Sequence, residues 1–230
     1  MRAVFVGVLA FGLSLSGLTA QAATYTALRC GNESGRVLLT FDDWNEADPY
    51  RAAHVGARLA NRGVRAAFFV TNQEAEKYPD IIPTLRLQGH WVLNHSYSHP
   101  HLTELSDSEV REEISKGVKS NRLRPPYGDW DSRVAGIASE LGYRKCWGTI
   151  NTRDWVQFSG SYRSISSIRS IVRNASTSAK QSGVIIGHLY SNYPDAVSGI
   201  IDDLHAQGFR MCRNTGPVGA NMPNPMRCTT

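Results

Sequence analysis

The stretch Val37–Asp43 reads V-L-L-T-F-D-D and joins an apolar run directly to two carboxylates. The apolar and β-branched residues predict a buried β-strand that ends at Asp42 and Asp43. Burying an ionised carboxylate without a partner is costly, so the two aspartates are either solvated turn residues or are held by a cation or a metal. Because neighbouring side chains on a strand point apart, one aspartate can bind metal while the other handles protons.

The first 22 residues have the pattern of a secretory signal peptide. Arg2 is followed by an apolar and small-residue run to Ala20, and the sequence Ala20-Gln21-Ala22 is typical of a cleavage site. A membrane anchor is the alternative, but glycines and serines dilute the run and no basic cluster follows it. We expect export and cleavage, with no stable membrane insertion afterwards, and a secreted protein that is extracellular or associated with the cell wall.

The charge of the chain limits the choice of partner. The 25 Lys and Arg residues include Arg2, so the cleaved chain would carry 24 basic against 20 acidic residues, a net charge of about +4. This balance favours an anionic cell wall or an acidic glycan as surroundings. No run of Lys or Arg resembles those that follow a phosphate backbone, and we expect no nucleic-acid partner.

The remaining length and the cysteines predict one disulfide-bonded domain. We expect a short N-terminal segment at 23–36, a single catalytic domain at 37–212, a tail at 213–230 and a monomeric protein. An even number of cysteines in an exported chain favours two disulfides over a thiolate metal site. Three pairings are open. We favour Cys212 with Cys228, which would tie down the tail, and this leaves Cys30 with Cys146.

Strand-like and helix-like segments alternate about seven times after residue 37. This alternation predicts an α/β fold, a distorted (β/α)7-type barrel or a related parallel sheet, whose active residues gather at the carboxyl ends of the strands. The strands are predicted at 37–41, 66–71, 91–95, 123–124, 145–151, 184–188 and 209–212. The helices are predicted at 48–63, 79–88, 106–120 with a capping box of Ser106 and Glu109, 132–141, 165–175 and 195–206.

Two histidines follow the third predicted strand. His95 and His99 are four residues apart, and a single turn would place both imidazoles on one divalent cation. The pair falls at the same end of the predicted barrel as Asp43. Two histidines with one carboxylate are a recurrent hydrolytic zinc set that leaves a position for water, which makes the combination more specific than either part.

Other polar residues follow the later strands. In Arg124-Pro125-Pro126-Tyr127-Gly128 the prolines stiffen the backbone and leave a fixed arginine and an exposed Tyr127 amide, although a rigid turn is the simpler alternative. The segment Asn151–Trp155 follows the fifth predicted strand. His188 ends the sixth, where a satisfied structural histidine is the alternative to a catalytic one.

Together these residues resemble the polysaccharide deacetylases with the NodB homology domain, carbohydrate esterase family four. The resemblance covers about Val37 to Cys212, and the five motifs of the family occur in order. They are Thr40-Phe41-Asp42-Asp43, His95-Ser96-Tyr97-Ser98-His99, Arg124-Pro125-Pro126-Tyr127, Asp154-Trp155 and Ile186-Gly187-His188.

The resemblance implies a role for each residue. Asp42 would be the catalytic base, oriented by Arg124, and His188 the catalytic acid, held by Asp154. The Tyr127 amide would help to bind the oxyanion. The divalent metal, zinc or else cobalt, would be bound by Asp43, His95 and His99, and the substrate would contact Trp155, Ile186 and Trp44.

Two positions depart from the family pattern. Asn151 stands where an aspartate is usual, and Trp44 replaces a small glycine, so that its indole could narrow or extend the sugar-binding groove. Neither change removes a proposed metal ligand or proton carrier.

The implied function is metal-dependent hydrolysis of N-acetyl groups on an amino-sugar polymer, chitin oligomers or peptidoglycan, to acetate and free amine. One alternative is an O-acetyl esterase acting on xylan. A second alternative is a non-catalytic glycan-binding protein, for which loss of Asp42 or of a metal ligand would be expected.

Overall fold

The computed structural model describes residues 25–213, 218–220, 226 and 228. The predicted signal peptide and most of the predicted tail lie outside this range. The described strands are β1 (Leu38–Asp42), β2 (Ala67–Val70), β3 (Trp91–Asn94), β4 (Arg122–Leu123), β5 (Arg144–Lys145), β6 (Ile150–Asn151), β7 (Gln157–Phe158), β8 (Ser161–Tyr162) and β9 (Val184–His188). The described α-helices are α1 (Arg51–Asn61), α2 (Asn72–Lys77), α3 (Ile81–Leu87), α4 (Asp107–Lys116), α5 (Ser132–Glu140), α6 (Ile165–Asn174), α7 (Thr177–Lys180) and α8 (Tyr193–Ala206).

Seven strands pair in parallel in the order β5-β4-β3-β2-β1-β9-β6. The edge strands β5 and β6 are consecutive in the chain. The last residue of β5, Lys145, and the first of β6, Ile150, are five residues apart, and a fully extended chain of this length spans at most about 17 Å between the two edges. Seven flat strands would span about 29 Å. The sheet therefore curls until its edges approach, which confirms the predicted barrel of the (β/α)7 type.

The mostly apolar sequence of β1 reflects burial on both faces of the sheet. All five residues of β1 are buried. Leu38 packs inside the curled sheet with Phe69 and Trp91, whereas Leu39 and Phe41 pack in the outer core with residues of α1 and α8. A strand covered on both sides has no solvent-facing polar side, and for this reason its sequence is mostly apolar, with Thr40 and Asp42 held by hydrogen bonds from Arg124.

Both predicted disulfides are present. Cys212 bonds to Cys228, and Cys30 bonds to Cys146 across 116 residues of sequence. The two bonds belong to the core inside the curled sheet. Within the part of the chain described here, no helix has the length and apolar character needed to cross a membrane.

Two strand predictions are wrong. The predicted strand 145–151 is two strands, β5 and β6, on opposite edges of the sheet, because the chain crosses from edge to edge between them. A Cβ on Gly148 in this crossing would lie 2.4 Å from Ile186, so a glycine is needed where the chain passes β9. The predicted strand 209–212 is reduced to a single bridge between Val37 and Met211.

Some helix ends also differ from the predictions. Helix α1 starts at Arg51, after a turn in which the Arg51 N–H donates to the Asp48 carbonyl, and not at Asp48. The Ser106 capping box is confirmed, but α4 ends at Lys116 because the chain packs directly on Asn94 at Gly117, where a Cβ would lie 2.2 Å from its side chain. Helices α2 and α7 and the β7–β8 hairpin are not among the elements predicted from the sequence.

His90 is a buried structural histidine with one defined tautomer. Its Nδ1 accepts from the Ala66 N–H at 3.1 Å, so its Nε2 carries the proton and donates to the Gly56 carbonyl at 2.8 Å. Burial lowers the pKa of His90 to about 4. Protonation would direct a second N–H at the Ala66 N–H, and the folded state therefore disfavours the charged ring.

We predict that His90 makes the fold sensitive to acid. The unfolded state takes up the proton near pH 6.5 and the folded state only near pH 4, so stability is complete above pH 6.5 and falls by about 3 kcal/mol as the pH drops to 4. His90→Gln should flatten this dependence in denaturant titrations at pH 7 and pH 4.5. His54→Gln, at an exposed position of α1, is the control. The same pH slope in His90→Gln and the native protein would contradict the prediction.

Candidate active site

A cavity of about 410 Å³ opens at the carboxyl ends of the parallel strands. It brings together nearly all of the residues that the sequence analysis selected. Those residues are Asp42, Asp43, His95, His99, Arg124, Tyr127, Trp155, Ile186 and His188. Asp154 lies fully buried and hydrogen-bonded to His188.

The side chains of Asp43, His95 and His99 converge on one point. Asp43 Oδ1 lies 3.0 Å from Nε2 of His95 and 3.0 Å from Nε2 of His99. His95 Nδ1 lies 2.7 Å from the Arg124 carbonyl, which can only accept, so this nitrogen carries a proton. A neutral His95 therefore directs the lone pair of its Nε2 towards the carboxylate.

This convergence fits a metal ion. Asp43 Oδ1 is buried and has no hydrogen-bond partner among the described residues, although two imidazole nitrogens face it. Burial alone would raise the pKa of Asp43, but without a metal the imidazole N–H groups of His95 and His99 lower that pKa well below its usual range, so the carboxylate stays charged. A metal ion would take the place of those protons between the nitrogens and the carboxylate. Two imidazole nitrogens and a carboxylate oxygen are a common zinc donor set, with a fourth position left for water.

Left-handed turns bring these ligands together. Asp43 leaves β1 with a φ of 67°, which changes the direction of its side chain from that expected along a strand, and His99 has a φ of 66°. Two hydrogen bonds shape the loop 94–99, which carries both histidines. Asn94 Oδ1 accepts from the Ser96 N–H, and Ser96 Oγ accepts from the His99 N–H. Glu113 accepts from two further amides of this loop and holds it on α4.

Asp42 and Arg124 form a buried ion pair beside the metal-ligand cluster. Arg124 Nη1 donates to Asp42 Oδ1 at 2.6 Å and to Thr40 Oγ1 at 2.6 Å. The same guanidinium donates to the carbonyls of Trp147 at 2.8 Å and Cys146 at 3.3 Å. With its donors satisfied on several sides, the arginine fixes the orientation of the Asp42 carboxylate.

His188 and Asp154 form a second buried pair. His188 Nδ1 lies 2.9 Å from Asp154 Oδ1, and the His188 N–H donates to Asp154 Oδ2 at 2.7 Å. Thr152 and Ser191 also donate to this carboxylate. Burial would lower the pKa of His188, but Asp154, with smaller contributions from Asp42 and Asp43, raises it to about 9. His188 is therefore protonated at neutral pH.

Asn151 shapes a turn at the rim of the cavity. Its Oδ1 accepts from the Arg153 N–H at 2.8 Å, and Arg153 adopts a left-handed φ of 50°. The Asp154–His188 pair is completed by Thr152 and Ser191, so the departure at position 151 leaves that pair intact.

Tyr127 presents a free amide at the cavity. Tyr127 has a φ of 56° and is 65% exposed. Its backbone N–H has no hydrogen-bond partner within the described residues. Pro125 and Pro126 precede it and supply no N–H of their own. An unpaired N–H in this position is available to a negatively charged oxygen.

The proposed substrate contacts occupy different environments. Trp155 is 49% exposed and Ile186 is buried, and both line the cavity. Trp44 is 5% exposed, stacks on Tyr78 at 6.0 Å and borders an adjoining groove. Its indole can form part of the groove wall but does not present an open face to a sugar.

Two aromatic residues of the site, Trp147 and Tyr190, are not among the residues predicted from the sequence. Tyr190 lies two residues after His188, and its ring centre is 5.4 Å from the imidazole. Burial, with help from Asp43 and Asp154, raises the pKa of Tyr190 well above its usual value, so the phenol stays neutral. The spacing from His188 could have indicated Tyr190. The position of Trp147 depends on the crossing between the sheet edges, which the sequence analysis did not predict.

Comparisons with known proteins agree with this geometry. Residues 31–146 match the family model described as polysaccharide deacetylase. The chain is 29% identical to a peptidoglycan-N-acetylglucosamine deacetylase of Bacillus cereus, over 76% of this chain and 65% of that protein. It is 28% identical to a chitooligosaccharide deacetylase of Azorhizobium caulinodans, over 56% of this chain and 65% of that protein. The chain thus spans slightly less than two thirds of each relative.

Solved structures show the same fold. A family 4 carbohydrate esterase from Streptomyces lividans, in complex with acetate, superposes with a TM-score of 0.67 and 25% identity, over 84% of this chain and 97% of that one. A peptidoglycan N-acetylglucosamine deacetylase superposes with a TM-score of 0.68 and 28% identity, over 79% and 87%. With its curled seven-stranded sheet and its match over half of its length, the chain belongs to the polysaccharide deacetylase family, carbohydrate esterase family 4.

Proposed function

We propose that the protein is an exported, metal-dependent deacetylase that hydrolyses N-acetyl groups of an amino-sugar polymer to acetate and free amine. The observation that carries the proposal is the convergence of Asp43, His95 and His99 between two buried charged pairs, Asp42–Arg124 and Asp154–His188. The curated relatives act on peptidoglycan N-acetylglucosamine and on chitooligosaccharides, which indicates the class of polymer.

Asp43, His95 and His99 would hold the metal. When bound, a zinc ion supplies a Lewis acid that polarises the acetyl carbonyl and lowers the pKa of a water to about 7. Asp42 accepts the proton of the attacking water, and the Tyr127 N–H donates to the oxygen on which negative charge develops. His188 then donates its proton to the leaving nitrogen.

The sheet register supports these roles for the base and the acid. Asp42 and His188 are direct partners on the neighbouring strands β1 and β9. Adjacent strands lie about 4.8 Å apart, so the two groups end their strands side by side. Each has its own buried counter-ion, which keeps a carboxylate and an imidazolium in one small cavity.

The shape of the site supports a polymeric substrate. The groove that Trp44 borders has a volume of about 360 Å³ and shares four residues with the main cavity. The shared residues are Asp43, His99, Tyr127 and Tyr190. The two spaces therefore adjoin at the proposed metal site, and an extended glycan could occupy both.

The site also suits an O-acetyl esterase, because the same hydrolysis acts on an ester with a better leaving group. A non-catalytic glycan-binding protein is less consistent with a site in which the base, the acid and all three proposed ligands are present.

Acetate release should be measured on chitin oligomers, peptidoglycan and acetylated xylan. Release from xylan alone would select the esterase, and release from none of the three would contradict the proposal.

Export agrees with the two disulfides and with the predicted signal peptide. We infer a cell-wall or extracellular location for the protein.

We predict that the two adjacent aspartates differ in function. A chelator should abolish acetate release, and zinc or cobalt should restore it. Asp43→Asn should lose bound metal, whereas Asp42→Asn should keep metal and lose turnover by at least about 100-fold, the lower end of a general-base contribution. Metal content and acetate release, measured on the same preparations, separate the two effects. Equal loss of metal in both variants would show that this division is wrong.

We predict that Asp154 sets the alkaline limit of activity. The acid form of His188 persists below its pKa of about 9, so activity should fall as the pH rises through this value. The charged groups facing the imidazole are Asp154, Asp42 and Asp43, and Asp154 is the one in contact. Asp154→Asn should move the alkaline limb down by about one pH unit or more.

Asn151→Asp is the matched control for this experiment, because Asn151 shapes the Arg153 turn. It should leave the alkaline limb nearly unchanged, and the acidic limb should stay in place in both variants. An alkaline limb that moves in Asn151→Asp but not in Asp154→Asn would assign control of the acid to position 151.

A further inference from the structure

The Tyr127 ring lies between two histidines of the neighbouring loop. His101 stacks on it almost in parallel, with ring centres 3.9 Å apart and an interplanar angle of 13°. His99 contacts the ring with its edge, at a centre distance of 4.6 Å and an angle of 63°. Tyr127 is largely exposed, so these two rings supply much of the packing that holds its side chain.

The Tyr127 backbone requires such support. A left-handed φ costs a residue other than glycine about 1 to 2 kcal/mol, and this cost must be offset by neighbouring contacts. Gly128, which follows, is also left-handed at 76°, and a Cβ there would lie 2.5 Å from the Trp147 ring. The backbone is thus restrained by the prolines before Tyr127 and by Trp147 after it, while its side chain is restrained by the histidines.

The loop that carries His101 is bonded to the Tyr127 loop at a second point. Asp129 Oδ2 accepts from the Thr103 N–H at 3.1 Å and from Thr103 Oγ1 at 2.5 Å. The same oxygen lies 3.5 Å from His101 Nδ1. Arg133 donates to the carbonyls of Leu102 and Thr103. These bonds keep the His101 ring over Tyr127.

We propose that His101 is a positioning residue for the reaction, acting through Tyr127. Its stacked ring holds Tyr127 so that the backbone N–H of that residue stays directed at the developing oxyanion, beside the proposed ligand His99. The inference rests on the proposed function, in which the Tyr127 amide stabilises that charge. His101 is outside the set of residues that line the cavity, and its contact with the site runs through the Tyr127 ring.

The test compares His101→Ala, which removes the stacked ring, with His101→Phe, which keeps an aromatic ring and removes the nitrogens. Loss of a whole oxyanion donor costs about 100- to 1,000-fold in kcat, so its misplacement in His101→Ala should cost about 10- to 100-fold. KM on a chitin oligomer and the Kd for zinc should change less than about 3-fold, and His101→Phe should recover most of kcat. His54→Ala is the control for removing an exposed histidine.

A second measurement follows the Tyr127 amide itself. In protein labelled with ¹⁵N-tyrosine, Tyr127→Phe identifies the Tyr127 amide signal. This signal should be sharp in the native protein and in His101→Phe, and broadened in His101→Ala. The His101 side chain is about half exposed, so its truncation removes little of the core and the variant should fold.

The outcomes separate this inference from the proposed function. Acetate release by the native enzyme with unchanged kcat in His101→Ala would overturn the role of His101 and leave the proposed function in place. Equal losses in His101→Ala and His101→Phe would overturn the stacking argument, as would weakened zinc binding in His101→Ala. An unbroadened Tyr127 signal in His101→Ala would likewise overturn the positioning role. Absence of acetate release by the native protein would instead overturn the proposed function.

Discussion

The buried guanidinium of Arg124 connects the proposed base on β1 to the segment that closes the curled sheet. It donates to Asp42 and Thr40 on β1 and to the carbonyls of Cys146 and Trp147, in the segment that joins the two edges of the sheet. Breaking a buried ion pair by removing one partner costs about 3 to 5 kcal/mol. The Arg124 side chain therefore contributes both to closure of the barrel and to the orientation of the proposed base.

The backbone of Arg124 serves the metal-ligand cluster as well. Its carbonyl accepts from His95 Nδ1, which fixes the tautomer that presents Nε2 to Asp43. The carbonyl and the sulfur of Cys146 both accept from the guanidinium, so the disulfide to Cys30 helps to hold the arginine in place. The disulfide between Cys30 and Cys146, which spans 116 residues of sequence, thus contributes to the end of the fold that carries the proposed site.

Asp42 and His188, which lie side by side, each form an ion pair with a separate buried partner. Asp42 is paired with Arg124, and His188 with Asp154, while Asp43 faces the Nε2 atoms of two imidazoles in a donor set that fits a metal ion. Around this rigid interior, the rim is built from left-handed turns and stacked rings, as at Tyr127. Such turns are costly alone, and they persist because neighbouring loops brace them.

The pairing of the cysteines was one of three that the sequence allowed, favoured because a bond between Cys212 and Cys228 would tie down the tail. The sequence was sufficient to predict the strand that ends at Asp42, a parallel barrel from the alternation of elements, and the polar residues at the strand ends. These features depend on local composition and spacing. Packing between distant segments divides residues 145–151 between opposite edges of the sheet, brings Trp147 to the cavity and stacks His101 on Tyr127. A run of strand-forming residues has the same local pattern whichever edge it joins, and left-handed turns and ring contacts arise from packing between loops that are distant in sequence.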